Sequence, residues 1–333
     1  MRKLAKVVFL LLLAPVALAE EYVSVFSTEG ELLNTFGVGL AENQMIRFLE
    51  VDPNGDIWVG RFDRGHGTMQ FNPNDQAVRF SPDGIEQQIV KGPTRYQTSI
   101  GFVSSGDLYI GAKPDGGALG DKYVYVFGSD GVFDFQFGGL NDDVTDFLVI
   151  EDDRIFATTG NTMILWEFNT AGTEINRLQV NGYFGGPLAL DTSVPGSQLW
   201  SYEARNGPGN NRIAAYDLDL TPLSSFELDH IGNPYLAGLE ALPSGELVTV
   251  DRSTGVFYLL EPDGTVAETG TLPDITEVLK FTLDNEGNIV IAHANSLLPT
   301  TPIPTSNAWG VALLVVLIGL LSSLHFVRRR IIF

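Results

Sequence analysis

A six-bladed β-propeller is the fold this 333-residue sequence predicts, and three observations predict it. A turn carrying Gly or Asp, followed by a strand of large residues, recurs with Ile57, Leu108, Ile155, Leu199, Leu247 and Ile289 as markers, at steps of 51, 47, 44, 48 and 42 residues. Such a period means stacked supersecondary units. A second pattern, an aromatic strand with a tight turn and another strand, falls between copies of the first. One further copy of the second pattern opens the body, ahead of the first copy of the other, which is where a closed ring needs it.

Taken in order, the opening copy is VSVFSTEG at 23–30, within an outer hairpin predicted over 22–37. The first pattern then reads DPNGDIWV at 52–59, SSGDLYI at 104–110, EDDRIFA at 151–157, VPGSQLW at 194–200, LPSGELV at 242–248 and NEGNIVI at 285–291. The second reads VRFSPDG at 78–84, VYVFGSDG at 124–131, LWEFNTAG at 165–172, IAAYDLDL at 213–220 and YLLEPDG at 258–264. Asp-Gly between apolar strands is a strong hairpin signal. Each unit is thus a four-stranded antiparallel blade, strands a and b around the first turn and c and d around the second. Inner strands are predicted at 45–51, 98–103, 144–150, 185–190, 237–242 and 278–283, where small or polar residues alternate with large ones as a tapered channel wall requires. The sixth inner hairpin has no outer hairpin after it, so 22–37 is expected to complete that blade and remove an open edge. An all-β sandwich also suits short strands and Gly turns but does not demand six similar units.

The ends read as targeting signals. Arg2, Lys3 and Lys6, an apolar run over 7–13 and Ala17-Leu18-Ala19 have the order of a signal peptide over 1–19, so signal peptidase is an expected partner. At the other end, 309–327 is 19 residues without Asp, Glu, Lys or Arg, enough to cross a hydrocarbon core of about 30 Å as a transmembrane helix. Arg328, Arg329 and Arg330 within the basic end 328–333 place that end in the cytoplasm, and therefore the body outside it. Between body and span, 297–308 is a Pro/Thr tether without periodicity.

Ahead of the apolar run stand Ile303-Pro304-Thr305 and then Trp309-Gly310, and with them this tail resembles the IPTLxxWG-type C-terminal sorting domain handled by exosortases, which are membrane transpeptidases. Ile303, Pro304, Thr305, Trp309 and Gly310 carry the resemblance at the right spacing, with Ser306 where Leu is usual. It implies export from a Gram-negative bacterial cell, anchoring in the inner membrane, cleavage near the motif and transfer to the cell surface. It implies nothing about what the body does.

The body, 20–296, holds all 41 acidic residues but only 14 of the 20 basic ones. A surface this acidic repels nucleic acid and anionic headgroups. With no cysteine, neither disulfides nor thiolate metal sites are available.

The stretch VDPNGDIWVG at 51–60 and FSPDG at 80–84 resemble the NHL, SMP-30/gluconolactonase and virginiamycin-lyase-like six-bladed propellers. The lactonases of that group imply a divalent cation at the channel mouth, held by a carboxylate, Asn residues and the Asp of a D-G-L sequence. Here those positions fall near Arg47 and at Ala237-Gly238-Leu239, and the inner strands at 98–103 and 185–190 contain no Asn, so that metal site and its activity are not expected. A lyase would need a His base at the channel mouth with Mg²⁺-binding acidic groups, and His293, just after the last b strand, is the best placed. The alternative expectation is thus a metal-assisted hydrolase or lyase with a divergent site involving His293 and Asp251. No Gly-x-Ser-x-Gly elbow, P-loop, EF-hand loop or zinc spacing occurs. The carboxylates of 52–56 and 141–143 read first as plain turns, with weak Ca²⁺ binding the one cofactor left open. The favoured expectation is a surface binding module for an unknown ligand or protein. Its face would be built from the b-to-c loops at 60–77, 111–122 and 202–212, which carry Arg61, Arg64, Lys113, Tyr202, Arg205 and Arg212.

Overall fold

The computed structural model describes residues 21–294 apart from 28–29, 41–43, 64–74, 92–93, 115–121, 141–143, 151–153, 161–162, 182, 206–210, 273–274 and 276. The signal-peptide stretch and everything from the tether onward, including the expected span at 309–327, lie outside the described residues. Among the described residues no helix is long and apolar enough to cross a membrane.

Six four-stranded antiparallel sheets form the body. Blade 1 is β3 (Gln44–Val51), β4 (Ile57–Asp63), β5 (Gln76–Phe80) and β6 (Glu86–Val90), after the opening pair β1 (Tyr22–Phe26) and β2 (Leu32–Gly37). Blade 2 is β7 (Thr94–Phe102), β8 (Leu108–Pro114), β9 (Lys122–Phe127) and β10 (Phe133–Leu140). Blade 3 is β11 (Val144–Val149), β12 (Ile155–Thr159), β13 (Met163–Phe168) and β14 (Glu174–Val180). Blade 4 is β15 (Tyr183–Asp191), β16 (Gln198–Arg205), β17 (Arg212–Tyr216) and β18 (Pro222–Glu227). Blade 5 is β19 (Leu236–Ala241), β20 (Leu247–Asp251), β21 (Val256–Leu260) and β22 (Val266–Thr271), and β23 (Val278–Leu283) with β24 (Ile289–His293) begins blade 6. The sandwich alternative is excluded by six separate sheets in this order.

Blade 6 is completed as the displaced repeat requires: its strand order is β2-β1-β24-β23, with Tyr22 opposite His293 and Phe26 opposite Ile289. The same N-terminal strands tie blade 6 to blade 1. The Phe36 ring of β2 lies 5.3 Å from that of Phe80, and the Asn34 side-chain amide donates to the Pro82 carbonyl at 2.9 Å. Phe36 also sits where a β-carbon on Gly84 would be, 2.4 Å away, so the seam needs a glycine in that turn as well as a backbone at φ +81°.

The a-to-b turn of blade 1 shows why the repeat sequence folds locally. The Asp52 carboxylate accepts from the Asn54 and Asp56 amides at 2.8 and 3.1 Å and from the Trp58 indole at 3.0 Å. Arg79 of β5 closes over it with ion pairs to Asp52 and Asp56. One c-to-d turn departs from the pattern: blade 4 has Leu220 at φ +63° where the other described turns of this type have glycine. Its side chain is buried among Leu188, Leu199 and Tyr216, and that apolar burial offsets the left-handed backbone.

Predicted and observed inner strands agree closely, blade 6 without any difference. The largest departure is β7, which starts at residue 94 rather than 98, because β8 runs on to Pro114 and pairs with the extension.

Candidate functional site

Every inner strand runs from the face of the d-to-a and b-to-c connections, here the loop face, toward the face of the a-to-b turns, here the turn face. A residue's place along its strand therefore sets its depth in the central channel. Arg47 and Lys280 come early or midway in β3 and β23, Asp146 lies midway in β11, and Glu240 and Glu50 come late in β19 and β3. The channel is consequently sorted by charge.

At the loop face it opens into a cavity of about 250 Å³ whose lining includes Arg47, Arg252, Lys280, Thr98, Thr145 and Tyr235. None of the described residues lining it is acidic. The cations come from three blades: Arg47 stacks over Phe62 at 5.1 Å, Arg252 over Tyr235 at 5.9 Å, and Lys280 rises from blade 6. Arg252 also makes a long, exposed contact with Glu277 at 3.8 Å. Burial and the two neighbouring arginines pull the Lys280 ammonium below its ordinary pKa, against the opposing pull of Asp146.

At the turn face a second cavity, about 270 Å³, is lined by Glu50, Asp146 and Glu240, with Lys280 reaching it from the other side. Lys280, Pro187 and Ala237 line both cavities and form the waist between them. The Thr282 hydroxyl lies 2.8 Å from Glu240 and 3.3 Å from Glu50, one proton facing two carboxyl groups. Burial raises the Glu240 pKa to about 8, with Asp146 adding to the effect and Thr282 opposing it. Burial also raises Glu50, helped by Glu240 and Asp146. Asp146 rises to about 6 through burial, tempered by Lys280 and by the Leu188 amide, which donates to it at 2.8 Å. All three carboxyl groups meet water only through the channel, which is why desolvation dominates although none is fully shut off from solvent. No group of three or more metal-ligating side chains converges among the described residues.

The residues singled out from sequence lie elsewhere. Arg61 is not on an open face: it is buried in β4, stacked over Phe80 and paired to Glu86 of β6 at 2.9 Å. Arg64 lies outside the described residues, and Lys113 falls in β8 without a described side chain. Tyr202 is in the core, its hydroxyl donating to the Pro234 carbonyl at 3.1 Å. Arg212 is held at 2.6 Å by buried Glu203 and lies 4.3 Å from the Tyr183 ring; exposed Arg205 approaches the same ring at 5.9 Å. Asp251 caps its own turn by accepting from Ser253 and Thr254. His293, expected at the channel mouth, is the last residue of β24, fully buried at the ring seam, with Nε2 2.8 Å from the Ser24 hydroxyl and its ring stacked on Tyr22. Strand b of blade 6 runs one residue further than expected, so a position read as lying just past the strand is its last residue, paired with Tyr22 of β1. Of the eight, only Asp251 lies next in sequence to a residue of the loop-face mouth, Arg252.

No protein-family model and no curated protein matches this chain in sequence. Solved structures match in fold. A streptogramin B lyase aligns with a TM-score of 0.58 at 14% identity, covering 82% of this chain and 87% of the other. The virginiamycin B lyase of Staphylococcus aureus aligns with 0.56 at 10% identity, covering 82% and 87%. The WD40 domain of Neurospora crassa Pan2 aligns with 0.50 at 12% identity, covering 80% of each. At these identities the likeness shows the propeller fold alone.

Proposed function

We propose that this chain is an exported surface binding module whose propeller takes an anionic ligand at the loop-face mouth of its channel. The observation that carries the reading is the convergence of Arg47, Arg252 and Lys280 from three blades on a cavity with no acidic residue in its described lining, in a body where acidic residues outnumber basic ones about threefold. A fixed cluster of cations inside an acidic protein focuses an anion toward one place. Titration with sulfate at low ionic strength tests it. Charged hydrogen bonds are worth about 1.5–3 kcal/mol each, so replacing Arg47 and Arg252 together by Gln is expected to weaken binding about a hundredfold or more. Unchanged sulfate affinity in the double variant would refute the assignment.

The delivery half of the proposal rests on sequence alone. In it, 1–19 is removed by signal peptidase, 20–296 is the propeller, 297–308 tethers it, 309–327 spans the inner membrane and 328–333 is cytoplasmic. An exosortase then acts near Ile303-Pro304-Thr305 and Trp309-Gly310. Pro304 keeps the approach to the span out of helical conformation and so accessible. Pro304→Ala is expected to slow processing, read as the mass and location of the mature protein in its native bacterium; a surface form that keeps its tail through Phe333 in both versions contradicts it.

The alternative, a hydrolase or lyase, draws no support from His293 or Asp251 where they stand. It is favoured by one observation, the raised pKa values of Glu240 and Asp146 in a channel, which is the electrostatic mark of many acid-base sites.

A further inference from the structure

Tyr235 is the exposed aromatic of the loop-face mouth: its side chain is 54% exposed, and it lies immediately before inner strand β19, beside Arg252. Among the described residues, the other large exposed apolar side chains, such as Leu33, Ile85, Val132, Ile175 and Leu223, sit on or next to outer strands, apart from Val194 in an a-to-b turn, and none of them lines this mouth.

An exposed ring in an irregular connection is ordinarily loose, but this one is pinned. The Tyr235 carbonyl accepts from the Arg252 amide at 2.8 Å. One residue earlier, the Pro234 carbonyl accepts from the Tyr202 hydroxyl at 3.1 Å and the Asn211 side-chain amide at 3.3 Å. Asn233 is held at φ +55°, a left-handed conformation that costs energy outside glycine. The Tyr202 ring then meets Tyr235 edge-on at 6.3 Å. Buried Tyr202 is thus a positioning residue for an exposed aromatic platform. Blade 4, next to blade 5, repeats the chemistry with Tyr183 beneath Arg212 and Arg205.

We infer that the ligand of this mouth is an acidic saccharide, its carboxylate or sulfate group on Arg47, Arg252 and Lys280 and the apolar face of its ring on Tyr235. This rests on the anion-binding reading above and narrows it. A compact inorganic anion would use the cations but gain nothing from a rigid aromatic ring. A long-chain acid would need an apolar tunnel, whereas this mouth also presents Thr98, Thr145 and the backbone of Gly185 and Gly186. Its volume of about 250 Å³ lies below the usual range for pockets that engulf a whole ligand, so it suits one ring-sized end group with the rest of the molecule across the loop face.

The test is calorimetric titration of the full chain in detergent with trigalacturonate, neutral galactotriose, AMP and sulfate. Trigalacturonate is expected to bind about tenfold or more tightly than sulfate, and galactotriose not measurably. An aromatic contact of this kind is worth about a factor of ten. Tyr235→Ala should therefore cost trigalacturonate about tenfold and leave sulfate within about twofold, while Tyr235→Phe keeps the affinity. Equal losses for both ligands, no loss for either, or AMP binding more tightly than trigalacturonate would each overturn the saccharide assignment while leaving anion binding intact. Sulfate binding indifferent to Arg252→Gln would instead overturn the underlying reading and this one with it.

Discussion

Removal of residues 20–38 gives a protein that aggregates and shows no cooperative unfolding. The deletion strips β1 and β2 from blade 6 and leaves β24, five buried residues from Ile289 to His293, as an unpaired hydrophobic edge. It also removes the buried side chains of Val23, Val25, Phe26 and Val38. At about 1.5–3 kcal/mol for each large apolar side chain, their loss is comparable to the whole stability of an ordinary domain, about 5–15 kcal/mol. A second variant separates a lost closure from a merely damaged chain. When residues 20–38 are moved behind residue 294 through a short linker, blade 6 becomes continuous in sequence, and the permuted protein should be soluble and unfold cooperatively. A deleted chain as soluble and cooperative as the intact one, or a permuted chain as insoluble as the deleted one, contradicts this account of the seam.

Glu240→Gln stabilises the protein at alkaline pH and flattens its pH dependence. The folded protein keeps a proton on Glu240 up to about pH 8, whereas the unfolded chain releases it near 4.5. The folded state therefore binds more protons in that window, and stability falls as pH rises from about 4.5 to 8, then levels. Each pH unit is worth up to about 1.4 kcal/mol, and water in the channel reduces the sum to about 2–3 kcal/mol. Glu50, raised by the same burial and by Glu240 itself, acts in the same direction. Glutamine carries no charge to desolvate and can still meet Thr282. At pH 8.5 the variant should melt about 4–10 °C above the parent, with the two converging near pH 4.5. Parallel pH profiles would mean that Glu240 is ionised at little cost and that the turn-face cavity is wetter than its geometry suggests.

Much of the fold was legible because the repeat writes each blade twice. The turn at 52–56 encodes its own hydrogen bonds through Asp52, and the displaced copy at 23–30 could be accommodated only by closing the ring. The candidate site was less legible. Arginines in loops were read as ligand contacts because loops usually carry function, yet Arg61 and Arg212 are consumed by Glu86 and Glu203, acidic partners from other strands that no local pattern reveals. His293, expected just past its strand, is the strand's last residue, and its pairing with Tyr22 across the seam is what buries it. The signal that would have found the channel lay within the predicted inner strands themselves: Arg47, Glu50, Asp146, Glu240 and Lys280 interrupt segments expected to line a narrow pore, where a charge is costly unless it has a task. Their order along each strand gives their depth, so the cationic mouth and the acidic floor could have been read from strand polarity. Tyr235 could not, since its rigidity depends on Tyr202 and Asn211, contacts 33 and 24 residues back in sequence.

The loop-face mouth as the place where an anion binds is tested most directly by crystallising the protein with selenate and locating the selenium by its anomalous scattering. The account predicts a peak within hydrogen-bonding distance of Arg47, Arg252 and Lys280, lost in the Arg47→Gln, Arg252→Gln variant. Selenate found only at other surfaces, with that mouth holding none, would contradict it.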